Sequence, residues 1–117
     1  MISKLEEISR ERKRAHHKLL ANASKVYDCF LTMERAAYAE GALSKKHKEI
    51  IGLGISVVTN CESGMQWHIE AATVAGATFE ELLEAIEVAI EMGGAPATVS
   101  ARFALVVMES LGVKPSR

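Results

Sequence analysis

The sequence predicts an all-α protein, a bundle of five or six helices. Three observations predict it. Apolar residues recur at three- and four-residue steps in one segment after another, the spacing of a helix face. The 117 residues include seventeen alanines, the strongest helix former, and two prolines. Helix-capping residues stand where the periodic segments start and stop. No segment alternates convincingly enough to read as a strand.

The first periodic stripe is Leu5, Ile8, Arg12 through its stem, Ala15, Leu19, Asn22 and Val26. A second follows at Val26, Phe30, Met33 and Ala37, with Leu31 and Tyr38 beside it. No Pro or Gly interrupts residues 3–40, so this region reads as one long helix, or two abutting ones broken near Asn22–Ser24. Gly41 is expected to cap its end. Ser44 is an N-cap for a helix over 45–59. That helix contains the run Ile50 to Ile55, with Gly52 and Gly54 suited to close packing. Val57 stands where a dinucleotide fingerprint needs its third glycine. Thr59-Asn60 breaks the chain, and the next helix starts at Cys61–Glu62, runs to Ala75 and ends at Gly76. Thr78 and Glu81 form a capping box for a helix with Leu82, Leu83, Ile86, Ala89 and Ile90 inward and Glu80, Glu84, Glu87 and Glu91 outward. Gly93-Gly94 ends it. Pro96 suits the first turn of a last helix, with Val99, Phe103, Val106 and Val107 expected inward and Gly112 closing it.

Length suits one domain over 1–117. Composition narrows the class. A charged fraction of 25% with two prolines argues against disorder. No apolar run approaches the ~20 residues that span a bilayer, and the N-terminus lacks the apolar segment of a signal peptide. Two cysteines, Cys29 and Cys61, make no disulfide framework, so a reducing, cytoplasmic setting is the expectation. Apolar residues at 49%, with eight glycines, exceed what a small monomer needs and point to a homo-oligomer.

Charge is two-ended. Residues 1–18 carry six Lys/Arg against three Glu, while between Glu49 and Arg102 seven Glu occur and no Lys or Arg. The basic end intersperses Glu6, Glu7 and Glu11 with Lys4, Arg10, Arg12 and Arg14 at helical pairing distances. No aromatic residue is interleaved to stack on bases, so a solvated or subunit-contacting helix is read there, not a nucleic-acid arm.

One constellation could carry chemistry. Cys61, Gly64 and His68 stand at i, i+3 and i+7, one stripe of a helix. Cys61 opens that helix, where free N–H groups and the dipole suit a thiolate. A histidine can take the thiol proton, and a carboxylate can orient the imidazole. If the helices on either side of Asn60 form an antiparallel hairpin, Glu49 returns beside His68. The result is a Glu–Cys–His relay of Glu49, Cys61 and His68. Each residue also has a plainer reading: Cys61 as a small buried hydrophobe, His68 as a packing residue, Glu49 as a partner of Lys45 or Lys46. The spacing lacks the short ligand pair usual in metal sites. Cys29 lies on the apolar side and is expected in the core, His47 is expected exposed, and Trp67 is expected to fill a groove between helices.

The residues Glu49, Cys61 and His68 resemble the signature Glu-x11-Cys-x2-Cys-x3-His of the carboxymuconolactone decarboxylase and AhpD-like (alkylhydroperoxidase D-like) family. Gly41-x-Leu43-Ser44-x-Lys46-x-Lys48-Glu49-Ile50 precedes it as in the family. Ala71-Ala72-x-x-Ala75-Gly76-Ala77-Thr78 and Met92-Gly93-Gly94-x-Pro96-Ala97 follow. The resemblance covers roughly residues 27–112. It implies an AhpD-like all-helical fold assembling into trimers or hexamers with sites near subunit interfaces, and no bound cofactor. In the AhpD branch two cysteines reduce peroxides and close into a disulfide while Glu and His shuttle protons. In the decarboxylase branch the cysteines are absent and the substrate is a small lactone acid. This sequence carries Gly64 at the second cysteine. A lone Cys61 cannot resolve itself, so its oxidised form needs an external thiol reductant or Cys29. Three functions follow: a thiol-dependent peroxidase or oxidoreductase with Cys61, His68 and Glu49 catalytic; a decarboxylase-like enzyme on a small organic acid, its cation from Arg102 or a neighbour's N-terminus; and a non-catalytic oligomeric or binding protein on the same scaffold.

Overall fold

The computed structural model describes residues 3–22 and 24–116. They form six helices: α1 (Lys4–Ala21), α2 (Lys25–Tyr38), α3 (Lys45–Val58), α4 (Glu62–Val74), α5 (Phe79–Gly93) and α6 (Ala95–Ser110), with no strand among the described residues. The backbone contacts divide the chain into two compact units, Met1–Glu40 and Gly41–Arg117.

The first unit is the α1–α2 pair. The break expected near Asn22–Ser24 is present: Asn22 caps α1 and Ser24 opens α2, its hydroxyl accepting from Tyr27 N–H. Ala23 lies outside the described residues. His16 and the Tyr27 hydroxyl hydrogen-bond across the pair. Neither helix buries a residue, which corrects the expectation for Cys29: it is exposed. Its neighbours Val26, Phe30 and Met33 are exposed as well. α2 ends on Ala39 in extended backbone, not on Gly41. The turn at Gly41 is instead held by its N–H donating to the Leu43 carbonyl.

The second unit holds the core. Leu53 and Val57 of α3, Met65, Ile69 and Ala72 of α4, Leu82, Ile86 and Ala89 of α5, and Ala101, Ala104, Val107 and Met108 of α6 are buried. The Ile50–Ile55 run is helical, as its capped start at Ser44 implies. The inward face of α6 differs from expectation. Val99 and Val106 are exposed and Phe103 half-buried, whereas Ala97, Ser100, Ala101 and Ala104 face the core with Val107. The small side chains let α6 approach α3, α4 and α5 closely, a choice of stripe that periodicity alone leaves open. The Thr78–Glu81 capping box forms in full. Lys46 at the start of α3 donates to Glu81 Oε2 at 2.9 Å and ties α3 to the head of α5. No helix among the described residues is long and apolar enough to cross a membrane.

Candidate functional site

The site is built at the turn between α3 and α4. α3 stops in a Schellman arrangement: Asn60 N–H donates to the Val57 carbonyl and Cys61 N–H to the Ser56 carbonyl, at 3.2 and 2.8 Å. The residue that turns left-handed there is Asn60, at φ 53°. Asn tolerates that region better than other side chains, and Asn60 is further tied down: its Oδ1 accepts from the buried Ser100 hydroxyl of α6 at 2.9 Å. Cys61 is thereby fixed as the N-cap of α4, with Gly64 N–H donating to its sulfur at 3.3 Å. The thiol is exposed.

The hairpin brings α3 back along α4. Glu49, 2% exposed, accepts from His68 Nδ1 on Oε1 and from Lys45 Nζ on Oε2, both at 2.8 Å. Two of the three predicted residues, 19 positions apart, therefore meet directly. A carboxylate only accepts, so the proton of this bond sits on Nδ1, and in the neutral ring Nε2 is the basic nitrogen. Lys45 was one of two alternative partners for Glu49; here the carboxylate holds the lysine and the histidine together. Lys45 was not foreseen as a site residue. Its i,i+4 spacing to Glu49 was the available signal.

Cys61 stands at the other end of the stripe. It lies seven positions before His68, about 10.5 Å of rise along a helix. Side chains of a helix lean toward its N-terminus, so His68 leans toward Cys61. His47, expected exposed, is so, with its Nδ1 on the Ser44 hydroxyl. Trp67 is 37% exposed on α4, one residue before His68. Among the described residues no group of three or more His, Cys, Asp or Glu is arranged to hold a metal ion.

With this geometry the chain can be placed among known proteins. The sequence model of the carboxymuconolactone decarboxylase family matches residues 24–106. The chain belongs to the carboxymuconolactone decarboxylase family. A family protein of Legionella pneumophila, solved in its apo form, superposes with a TM-score of 0.85 at 31% identity, over 91% of this chain and 95% of that one. A Thermotoga maritima protein superposes at 0.83 with 28% identity, over 91% and 93% of the two chains. A second crystal structure of the same Thermotoga maritima protein, a carboxymuconolactone decarboxylase family protein for which a part in an antioxidative response has been suggested, superposes at 0.80 with 28% identity over 87% of each chain. An uncharacterised protein encoded in the cox locus of Paracoccus denitrificans is 37% identical over 84 residues, 72% of this chain and 76% of that one. As a member of the carboxymuconolactone decarboxylase family, the chain keeps Glu49 and His68 in contact while carrying one sulfur at the helix start.

Proposed function

We propose that the chain is an AhpD-like thiol-dependent peroxidase, with Cys61 as nucleophile, His68 as acid–base and Glu49 as the residue that orients His68. The observation that carries the reading is the hydrogen bond from His68 to the buried Glu49, on the stripe that begins at the exposed, helix-capping Cys61. The Cys61 thiol gives its proton to His68 Nε2, and the thiolate attacks one oxygen of a peroxide; the S–O bond forms as the O–O bond breaks. Sulfur is oxidised to the sulfenic acid, the peroxide is reduced to an alcohol, and His68 supplies the proton to the leaving oxygen. An external thiol then forms an S–S bond with Cys61 and water leaves. A second external thiol releases Cys61 and departs as the reductant's disulfide. Peroxide consumption with an added small thiol should vanish in C61S and persist in C29S. Full activity in C61S would end this reading.

One observation favours a second reading, a decarboxylase-like enzyme on a small organic acid. The ammonium of Lys45, half-exposed, sits on the Glu49 carboxylate and supplies the cation that the sequence stretch from Glu49 to Arg102 lacks. Turnover of lactone acids by C61S as well as wild type would select it; no turnover of any such acid by wild type removes it.

A homo-oligomer, trimer or hexamer, is part of the proposal. Its support is an apolar groove on the second unit between α3 and α5, lined by Ile51, Ile55, Val58, Val88 and Met92, all exposed.

A further inference from the structure

The corner between α3 and α4 holds a residue that the signature does not include. Ser56 is 6% exposed in the last turns of α3, and its carbonyl receives Cys61 N–H. Its side chain lies against Gly64. A Cβ placed on Gly64 would stand 2.5 Å from Ser56 Oγ, 3.3 Å from Ser56 Cβ and 3.0 Å from Cys61 Sγ. The first distance is a hard overlap, and packed interiors give little room to relieve it. A serine has three staggered positions for its hydroxyl, so rotation could clear Oγ but would leave Cβ in place. Glycine at 64 and serine at 56 are therefore one spatial choice. The Ser56 side chain occupies the volume beside the Cys61 sulfur that a side chain at 64 would enter.

We propose that Ser56 is the residue that commits this site to one-thiol chemistry: its side chain, Cβ and hydroxyl together, crowds out a side chain at position 64, so no second thiol on the Cys61 helix resolves oxidised Cys61. The proposal rests on the thiol-peroxidase reading for its consequence, while its steric core can be tested without any peroxidase activity. With a second cysteine at 64, the neighbouring thiol would attack the Cys61 sulfenic acid, one S–S bond would form and water would leave. With Ser56 in place the same bond forms to an external small thiol, whose second equivalent then reduces the mixed disulfide. Ser56 can take neither part, because a hydroxyl oxygen does not form that bond.

The test uses the full chain on a C29S background, so that no other thiol is present. G64C and S56G/G64C are treated with diamide, an oxidant that joins two nearby thiols as it is reduced to the hydrazine. Closure is followed by free-thiol titration and by the loss of two hydrogens in intact mass. The double variant should close at least tenfold faster than G64C, whose second sulfur has no room beside the first. Closure of G64C within twofold of the double variant would overturn the proposal, and so would a double variant that never closes. Should the cysteine variants not fold, G64A and S56G/G64A decide by thermal melting. G64A should lower the midpoint, and S56G/G64A should recover more than half of that loss when measured against S56G. No recovery overturns the proposal. Loss of peroxide consumption by wild type would sink the peroxidase reading alone, because closure by diamide does not depend on it.

Discussion

Replacing Glu49 by glutamine separates what the carboxylate does for the fold from what it does for His68. The side chain keeps its size, so no cavity opens at a position only 2% exposed. What changes is one oxygen, which becomes an amide NH2. Two orientations are open to it. With the remaining oxygen toward His68, the NH2 faces Lys45; that ammonium is 49% exposed and swings into water at small cost. With the NH2 toward His68, Nδ1 must accept, and the proton moves to Nε2. Either way the charge-assisted bond to His68 at 2.8 Å is exchanged for a neutral one, and the first orientation also gives up the half-exposed Lys45 bond. Such a change costs about 1–2 kcal/mol. At the scaling for domains of this size, that lowers the melting midpoint by roughly 4–8 °C. General acid–base support contributes about 10²–10⁴-fold in rate, so activity should fall within that range while the fold survives. Melting by circular dichroism gives the first number and peroxide turnover the second. Nitrogen NMR of His68 adds the tautomer. E49Q with wild-type turnover and an unchanged His68 spectrum would refute the role given to Glu49.

Three further outcomes follow from the same geometry. N60A loses a side chain suited to φ 53° and leaves the buried Ser100 hydroxyl without its acceptor, so it should cost about 2 kcal/mol by chemical denaturation; N60G, which relaxes the backbone, should cost less. Glu81 is held below the ordinary glutamate range, first by the hydrogen bond from Lys46 and then by the Thr78 N–H. A lowered folded-state value means stabilisation that is full above the unfolded value of roughly 4.3 and fades as pH falls through the folded one, so K46M should lower stability modestly at neutral pH, leave it unchanged in acid where Glu81 is protonated, and so flatten the acid side of a stability–pH profile. I55D/V88D places charge in the apolar groove and should shift the mass measured by light scattering from oligomer to monomer; an unchanged mass would move the contact elsewhere.

The helices were legible because their ends carry local chemistry. Ser44, Thr78 with Glu81, Gly76 and Pro96 each act through hydrogen bonds or backbone geometry within a few residues of the chain. The hairpin that joins Glu49 to His68 was legible as well, because one break at Thr59-Asn60 leaves an antiparallel return as the short connection. What failed depends on contacts across helices. A stripe of Val99, Phe103 and Val106 and a stripe of Ala97, Ala101 and Ala104 have the same period, and only the close approach of α6 to its neighbours selects the second. Cys29 likewise sits on a sound apolar stripe, but α2 buries none of its residues. Ser56 was invisible because its meaning lies in the missing side chain of Gly64, eight positions away and across the turn.

Whether the thiol and the Glu49–His68 pair belong to one reaction follows from how their losses combine. They are separated along α4 by about two helical turns, so nothing in the backbone forces them to act together. If a peroxide bridges them, each is worthless without the other at the step where the O–O bond breaks. C61S, H68Q and C61S/H68Q should then fall to the same residual rate, since groups acting as a unit lose their effect once. If instead His68 serves a different substrate, C61S leaves that turnover intact and H68Q alone abolishes it. Free-energy losses on peroxide that simply add in the double variant would mean independent contributions, and the relay through Cys61 would have to be abandoned.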